Sequence, residues 1–524
     1  MRISTGQYFA NSIAGYSKNY ASLTKTQAEI SSGTRIQTAA DDPVGAAKLL
    51  QLDQQAARIK QYDGNITTLN NSLTSEQSVM TSLTDAVQSA KELALEGGNG
   101  GLSDDDRTSI ANQLGQVEDT IYGLLNSKDA NGDYMFSGSK TGTQPYVKNA
   151  DGTYTYQGDE TQLSLQISDT LSMAGNDTGY SAFEQASNVS RTTSSLTSPA
   201  TDDGRMTLTS GSMTSSNSYN SSFKSGEPYT LTFTSASEYT ITDGAGNDVT
   251  AESSGKGSYD STDAAGTSIS FRGVEFQASV ISQDGDDTAD MDAVLGGHSF
   301  SLESKPDSVA VNRVASNTST AQITSAAVSD ESTYSSTFPN GGAIIKFTSA
   351  TAYDVYASPL TSSSKSIASG TLTGNSITAA GVTFDVSGTP ASGDQFSVTT
   401  DAHQTQNVLS TISQLRQALA TPISGDSAGA AKVQDAVASA IGNLDSASKL
   451  IDLTAGAIGG RQNAMDIQTA ENSSIKLNNA ATQSSIGDTD TAEASVALTL
   501  QQSILEAAQL TFSRVSQLSL FDKL

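Results

Sequence analysis

Residues 43–96 read PVGAAKLLQLDQQAARIKQYDGNITTLNNSLTSEQSVMTSLTDAVQSAKELALE, and their apolar positions recur at alternating intervals of three and four. This spacing is the heptad seam of a helix that packs along another helix. Asp42 is a natural N-cap, Pro43 is a natural first helical residue, and the glycine-rich segment 97–101 is a natural helix end. At about 1.5 Å per residue such a helix is roughly 80 Å long, which exceeds an ordinary compact domain.

A second long seam with the same rhythm lies near the other end of the chain, over residues 433–486. The simplest arrangement pairs the two long segments in antiparallel fashion, because each then buries the apolar face of the other. Glu76 alone interrupts the first seam. The rod seam predicted from both segments consists of Ile59, Ile66, Leu69, Leu73, Met80, Leu83, Val437, Leu444, Ile451 and Ile458.

Shorter seams occur at the two chain ends. Both are rich in Ala, Ser, Thr and Gln, and no third layer of structure is available to cover them. We therefore expect the ends to be disordered or loosely helical in the free protein, and to fold against neighbouring copies in a polymer or ring. The predicted assembly seam consists of Ile13, Tyr16, Tyr20, Leu23, Ile30, Val496, Leu500, Ile504, Leu510, Leu518 and Phe521.

The middle of the chain has a different composition. Residues 201–400 contain 22 Asp and Glu against 8 Lys and Arg, are rich in Ser, Thr and Gly, and alternate apolar with polar residues. Four landmarks recur in the same order, which indicates a tandem duplication. They are YNSSF (219–223) and YSSTF (334–338), LTFTSASEY (231–239) and IKFTSATAY (345–353), GVEF (273–276) and GVTF (381–384), and GHSF (297–300) and GDQF (393–396).

These patterns predict an α + β multidomain fold: a long antiparallel helical coiled-coil rod from the two chain ends, with inserted all-β domains. The expected domains are 1–40 with 487–524 for terminal coiled-coil assembly, 41–190 with 403–486 for the rod and a small β-hairpin region, and two β-modules, 196–310 and 311–402.

Composition argues against an enzyme. The chain has no Cys, only two histidines (His298 and His403) and a formal net charge of −28. Catalytic thiols and imidazole-based metal sites are therefore unavailable, and nucleic acid and anionic membranes are poor partners. The segment 284–292 lacks the residue order of a calcium loop, and 97–101 lacks the lysine of a phosphate loop. We expect no cofactor, no metal and, because residues 1–9 lack an apolar core, no cleaved signal peptide.

Several motifs resemble the flagellin superfamily of bacterial axial proteins, and within it the hook–filament junction proteins. EISSGTRIQTAADDPVGAA (29–47) is similar to the end of the family's first helix, and NGDYMFSG (131–138) and YQGD (156–159) are similar to its small β-hairpin region. Pro43 and the ending LSLFDKL (518–524) resemble the junction proteins more than flagellin itself. The residues that carry the motif are Gly33, Arg35, Asp41, Asp42, Pro43, Phe136 and Gly138.

The resemblance implies an extracellular, structural protein of the flagellum, exported by the flagellar type III apparatus. It implies contacts with other copies in a ring, with hook-associated protein 1, with flagellin and with a cytoplasmic export chaperone. Two alternatives stay open: flagellin itself, and a secreted β-rich adhesin that uses its helices as a stalk.

Overall fold

The computed structural model describes residues 5–149, 152–263, 266–281, 288–424 and 426–521. The α-helices are α1 (Thr5–Ser32), α2 (Pro43–Gly97), α3 (Asp104–Leu125), α4 (Ser216–Ser218), α5 (Thr288–Leu295), α6 (Glu331–Thr337), α7 (Val408–Ala420), α8 (Ser427–Gly487) and α9 (Thr491–Phe521). Single turns of π-helix cover Tyr180–Glu184 and Tyr219–Phe223, and a turn of 3₁₀-helix covers Thr250–Glu252.

The strands are short, and all their pairings are antiparallel. They are β1 (Tyr146–Lys148), β2 (Tyr154–Tyr156), β3 (Ser164–Gln166), β4 (Ser172–Ala174), β5 (Thr192–Ser198), β6 (Met206–Leu208), β7 (Ser212–Met213), β8 (Tyr229–Phe233), β9 (Tyr239–Thr242), β10 (Thr267–Phe271), β11 (Val274–Val280), β12 (Ser299–Ser304), β13 (Ser308–Arg313), β14 (Gln322–Val328), β15 (Ala343–Phe347), β16 (Ala352–Ala357), β17 (Ser366–Thr371), β18 (Ser376–Ala379), β19 (Val382–Ser387) and β20 (Gln395–Asp401).

The chain forms two compact units. Unit 1 comprises Met1–Thr74, Leu163–Gly175 and Ile458–Leu524, and unit 2 comprises Ser75–Gln162 and Asn176–Ala457. The long helices α2 and α8 contribute to both units, since each crosses a unit boundary.

In unit 1, α2 and α8 run antiparallel and exchange side-chain contacts. Asp53 accepts a hydrogen bond from Gln483 at 2.7 Å, and Asp63 accepts one from Asn472 at 3.1 Å. Residues nearer the start of α2 therefore lie beside residues nearer the end of α8, as an antiparallel pair requires. The rod-seam residues of this unit are buried: Ile59, Ile66, Leu69, Leu73 and Ile458.

The same pairing occurs within unit 2, where Lys91 Nζ lies 2.5 Å from Asp445 Oδ1. Its rod-seam residues are also buried: Met80, Leu83, Val437, Leu444 and Ile451. Glu76, which interrupts the seam, is buried too, and its Oε1 accepts a hydrogen bond from the backbone N–H of Asp177 at 3.0 Å. A polar residue is tolerated at this position because a backbone donor reaches it.

The chain ends were expected to be disordered or loosely helical, and for the described residues disorder is wrong. Both α1 and α9 are continuous helices, and they pack against each other in unit 1. The backbone of Thr34 bridges that of Asp488 where the two helices end and begin. Mutual packing supplies the tertiary contact that each helix lacks by itself.

The two β regions of unit 2 share one strand topology. In the first, β12 pairs with β5 and β8, β8 with β9, and β11 with β6 and β10. In the second, β20 pairs with β13 and β15, β15 with β16, and β19 with β14 and β18. Each region has its own hydrophobic core. The first inserts α5, whereas the second adds β17 and joins its strands into one eight-stranded sheet.

The predicted limits 196–310 and 311–402 are corrected by this pairing. Residue 196 lies inside β5, and the predicted boundary at 310/311 cuts β13, which pairs with β20 and therefore belongs to the second region. Strand pairing divides the regions between Ser304 and Ser308. The first repeated sequence motif of each module lies after the module's first strand. The start of each module was therefore predicted at the wrong residue.

Candidate assembly surface

The connection between α1 and α2 is tied to the connection between α8 and α9. Gly33 has a φ of +72°, and its carbonyl oxygen accepts a hydrogen bond from Thr489 N at 3.0 Å. The backbone N–H of Arg35 donates to Gly487 O at 2.7 Å, and its Nη2 donates to Ile486 O at 2.8 Å. Gly33 and Arg35 of the predicted motif therefore fix where the terminal helices leave the long ones.

The two aspartates of the motif have separate structural roles. Asp41 Oδ1 accepts a hydrogen bond from Lys25 Nζ at 2.7 Å, and its Oδ2 accepts two from Thr38. The Lys25 bond, followed by those from Thr38, holds the pKa of Asp41 well below its usual range. Asp42 Oδ1 accepts from Gly45 N at 2.9 Å and so caps α2, with Pro43 as the first helical residue.

The large apolar residues of the α9 stripe are exposed to solvent. Val496 is 70% exposed and Leu500 is 60% exposed, whereas Ala494 is buried. Exposed predicted residues on the two helices are Ile13, Tyr16, Tyr20, Val496, Leu500, Ile504 and Leu510. Leu23 and Ile30 are half-buried, and the side chains of Leu518 and Phe521 lie outside the described residues.

Small and polar residues take the inner positions of the same two helices. Thr26 of α1 and Ala494 of α9 are buried, and Gln501 and Ala508 are half-buried. Small inner residues let the two helices approach closely. The large apolar residues that a helix would ordinarily bury are therefore left on the outside, where they form the apolar patch typical of interaction sites.

A groove of about 620 Å³ runs between α1 and α9. Ile13, Tyr16 and Phe512 form its apolar walls, and Gln509 Nε2 donates a hydrogen bond to Tyr16 Oη at 3.1 Å across it. The lining is chiefly apolar with few polar groups, which suits an apolar side chain or helix.

The motif residues Phe136 and Gly138 lie in the small β region of unit 2 instead. Phe136 is fully buried, with its ring centroid 5.0 Å from that of Phe183 in an edge-to-face arrangement. Gly138 has a φ of +70°, and a Cβ there would lie 2.2 Å from Asp159 Oδ1. These two residues maintain the local fold and do not belong to the surface on α1 and α9.

Sequence reasoning missed Glu118, the buried charge beside this region. Its carboxylate accepts hydrogen bonds from Lys148 Nζ and Arg416 Nε, each at 2.9 Å, and from the Tyr154 hydroxyl. Burial raises the pKa of Glu118, but these hydrogen bonds outweigh burial and hold it below its ordinary value. Glu118 precedes Arg416 by almost three hundred residues, and spacing alone carries no signal of such a contact.

Within the described ranges, no three His, Asp or Glu side chains are placed so that they could hold a metal ion. Residues 284–287, the first four of the rejected calcium loop 284–292, lie outside those ranges. None of the described helices combines the length and the apolar character needed to cross a bilayer.

Comparison with known proteins shows what parts of this chain are similar to. Residues 3–141 match the family model described as the bacterial flagellin N-terminal helical region. Over 183 residues the chain is 34% identical to flagellar hook-associated protein 3 of Salmonella typhimurium, covering 35% of this chain and 57% of that protein. It is 32% identical over 119 residues to the flagellar filament 41 kDa core protein of Borreliella burgdorferi, covering 23% of this chain and 35% of that protein. The chain thus spans little more than half the length of the first relative.

Among solved structures, the chain resembles flagellar hook-associated protein 3 of Legionella pneumophila. The TM-score is 0.51 at 19% identity, covering 83% of this chain and 98% of that structure. At this identity the likeness concerns the fold. The N-terminal match and the likeness to flagellar proteins support the resemblance read from the motifs: residues 3–141 are similar to the N-terminal helical region of bacterial flagellins.

Proposed function

We propose that this chain is a structural subunit of the bacterial flagellum and forms the junction ring that connects the hook to the flagellin filament. The observation that carries the proposal is the set of exposed apolar side chains on α1 and α9, which no described part of this chain covers. The 34% identity to a hook-associated protein 3 supports the choice of the junction over other positions in the flagellum.

In this proposal the terminal helices, 1–40 with 487–524, form a coiled-coil assembly domain. The segments 41–190 and 403–486 supply the rod domain, in which α2 and α8 form an antiparallel coiled coil. The two β-modules face the solvent. Their charge supports this placement, because 22 acidic and 8 basic residues between 201 and 400 make close packing of many copies unfavourable.

The proposed partners follow from the position of the ring between the hook and the flagellin filament. One face of the ring contacts hook-associated protein 1, and the other contacts the first flagellin subunits. Before assembly, a cytoplasmic export chaperone binds the chain, and the flagellar type III apparatus exports it without signal cleavage. The exposed aliphatic side chains of α9 support a chaperone step, since they would otherwise promote aggregation in the cytoplasm.

Flagellin is the second candidate, and the match to a filament core protein favours it. Electron microscopy of cells that lack this chain, together with an assay of flagellin in the medium, separates the two. The junction role predicts hooks without filaments and abundant soluble flagellin in the medium. Hooks without filaments and no flagellin anywhere would make this chain the filament subunit, and normal filaments would contradict both proposals.

A further inference from the structure

The chain contains three asparagines that are each followed by a glycine: Asn99, Asn131 and Asn340. All three asparagines and their glycines are exposed to solvent. Asparagine is one of the thermolabile residues of proteins, and an Asn–Gly pair is the dipeptide most prone to deamidation. Glycine has no side chain to keep its backbone nitrogen away from the side chain of the asparagine before it.

The space around the three glycines does not distinguish the three sites. At Gly100 and Gly132, no atom outside the adjacent residues lies within 4 Å of the position that a Cβ would take. At Gly341 the nearest such atom is the carbonyl oxygen of Ser358, at 3.7 Å. Any difference in reactivity must therefore come from the bonds that hold each pair.

Deamidation at such a pair has two steps. The glycine nitrogen loses its proton and attacks the asparagine Cγ, a C–N bond forms, and the side-chain nitrogen leaves as ammonia, which closes a succinimide ring. Water then opens the ring at either carbonyl and gives aspartate or isoaspartate. One water is consumed, one ammonia is released and no oxidant is needed. The attack requires a glycine N–H that is free to lose its proton and an asparagine side chain that is free to rotate.

The pair at Asn131 meets neither requirement. The N–H of Gly132 donates to the carbonyl oxygen of Asp129 at 3.1 Å. Asn131 Nδ2 donates to Asp129 Oδ2 at 3.1 Å, and the backbone N–H of Asn131 donates to Asp129 Oδ1 at 2.9 Å. Asp129 therefore holds both the attacking nitrogen and the side chain that would be attacked.

The pair at Asn340 meets both requirements. It occupies the centre of a turn that is closed by a hydrogen bond from Gly342 N to the carbonyl oxygen of Pro339, at 3.0 Å. Among the described residues, neither the Asn340 side chain nor the N–H of Gly341 has a hydrogen-bond partner. The turn is thus fixed at its ends, while the two reacting groups at its centre are free.

The pair at Asn99 meets one of the two requirements. Asn99 Oδ1 accepts a hydrogen bond from Gly101 N at 3.1 Å, which restricts rotation of the side chain. The N–H of Gly100 has no hydrogen-bond partner among the described residues.

We propose that Asn340 is a site of spontaneous deamidation in the folded protein, and that Asp129 protects Asn131 from the same reaction. Asn99 is intermediate, because only one of its two reacting groups is held. The inference is independent of the proposed function, since it depends only on exposure and hydrogen bonding at three turns.

The reaction at Asn340 would alter the turn that leads into β15. Isoaspartate adds one carbon atom to the main chain, and either product adds a negative charge. Gly342 has a φ of +84°, and a Cβ there would lie 2.5 Å from Val398 O, so a lengthened turn has little room against β20. In the first β region, Ser225 and Gly226 follow the landmark YNSSF as Asn340 and Gly341 follow YSSTF. Serine has no amide, so this matching turn cannot form a succinimide.

The test is to incubate the full chain at pH 8 and to follow each site by peptide mass spectrometry, with aspartate and isoaspartate separated by retention. We expect Asn340 to deamidate at least about tenfold faster than Asn131, because the bonds at Asn131 must open before attack. Asn99 should lie between them. In guanidinium chloride the three rates should agree within about threefold, because the unfolded chain lacks these bonds. Equal rates at Asn131 and Asn340 in the folded chain would overturn the proposal, as would the same ranking in denaturant.

Two variants test the cause of the difference. Asp129→Ala should raise the rate at Asn131 by about fivefold or more and leave the rate at Asn340 unchanged, because only the first site loses its acceptors. Asn340→Ser, which copies the first β region, should remove the product from this turn and leave the other two sites unchanged. A rate at Asn131 that does not respond to Asp129→Ala would contradict the protective role of Asp129.

Discussion

Arg35 Nη2 lies 2.8 Å from the carbonyl oxygen of Ile486, and this hydrogen bond joins the connection between α1 and α2 to the end of α8. The Arg35 side chain is 52% exposed, so the bond is partly screened by water. The bond matters for its position, because it lies between the end of α1 and the beginning of α9.

Arg35→Ala should loosen this connection. Losing one partly exposed hydrogen bond from a charged donor costs about 1 kcal/mol of local opening free energy, which corresponds to roughly fivefold faster exchange. The amide of Thr489, bonded to Gly33 O, is the reporter, and hydrogen exchange measured by NMR or mass spectrometry is the measurement. Arg35→Lys should lie between Arg35→Ala and the wild type. Unchanged exchange at Thr489 in Arg35→Ala would show that the backbone bonds suffice.

The long helices could be predicted from the sequence, because the spacing of large apolar residues along a helix is a local property of that helix. Leu69, Leu73 and Met80 recur at the predicted spacing, and all three are buried. For α1 and α9 the predicted assembly seam is not the face on which the two helices pack against each other. The pair uses small inner residues such as Ala494 and leaves Val496 and Leu500 outside. Spacing identifies a stripe, but it cannot tell whether the partner is in the same chain or in another.

Long-range contacts could not be predicted from the sequence, for a different reason. Glu118 reads as an ordinary polar position on α3, and its partners come from a hairpin and from a helix much later in the chain. No local sequence pattern predicts a contact between residues so far apart in the chain. The predicted limits of the β-modules were wrong for a similar reason. Only the pairing of β13 with β20 shows that β13 belongs to the second module.

Gly138→Ala should destabilise unit 2. The φ of +70° is unfavourable for alanine, and the new Cβ would lie 2.2 Å from Asp159 Oδ1. We expect a loss of about 2 kcal/mol or more in urea unfolding followed by circular dichroism. Gly142→Ala is the matched control, because no atom lies within 4 Å of its Cβ position and its φ is not positive. Equal stability of the two variants would mean that the loop adapts without cost.

Glu118→Gln should destabilise unit 2 at neutral pH. The amide cannot match the charges of Lys148 and Arg416, and breaking such a buried pair costs about 3 kcal/mol. Urea unfolding at pH 7 is the measurement. Glu160→Gln removes an exposed carboxylate from the same region and should change the stability by less than about 0.5 kcal/mol.

The Glu118 contribution should also depend on pH. Its folded-state pKa is depressed, so the stability it adds is complete above the ordinary carboxyl value of about 4.3 and is lost as the pH falls through the lower folded value. The wild type should therefore lose more stability than Glu118→Gln between pH 6 and pH 3. Parallel losses in the two proteins would show that the folded-state pKa of Glu118 is not depressed.

Leu500→Glu should abolish assembly without unfolding the chain. Leu500 is 60% exposed, so a charge there costs little in the free protein, within about 0.5 kcal/mol. In an assembly that covers the α9 stripe, the same charge is buried without a partner, and several kcal/mol are lost for every copy. Gln502→Glu adds the same charge on an exposed face of α9 outside the apolar stripe and should assemble normally. The measurement is recovery of filaments when each variant is expressed in cells that lack the chain. Filaments restored equally by both variants would mean that the α9 stripe stays in contact with solvent in the flagellum, and the assembly surface would then have to be sought on the other helices of unit 1.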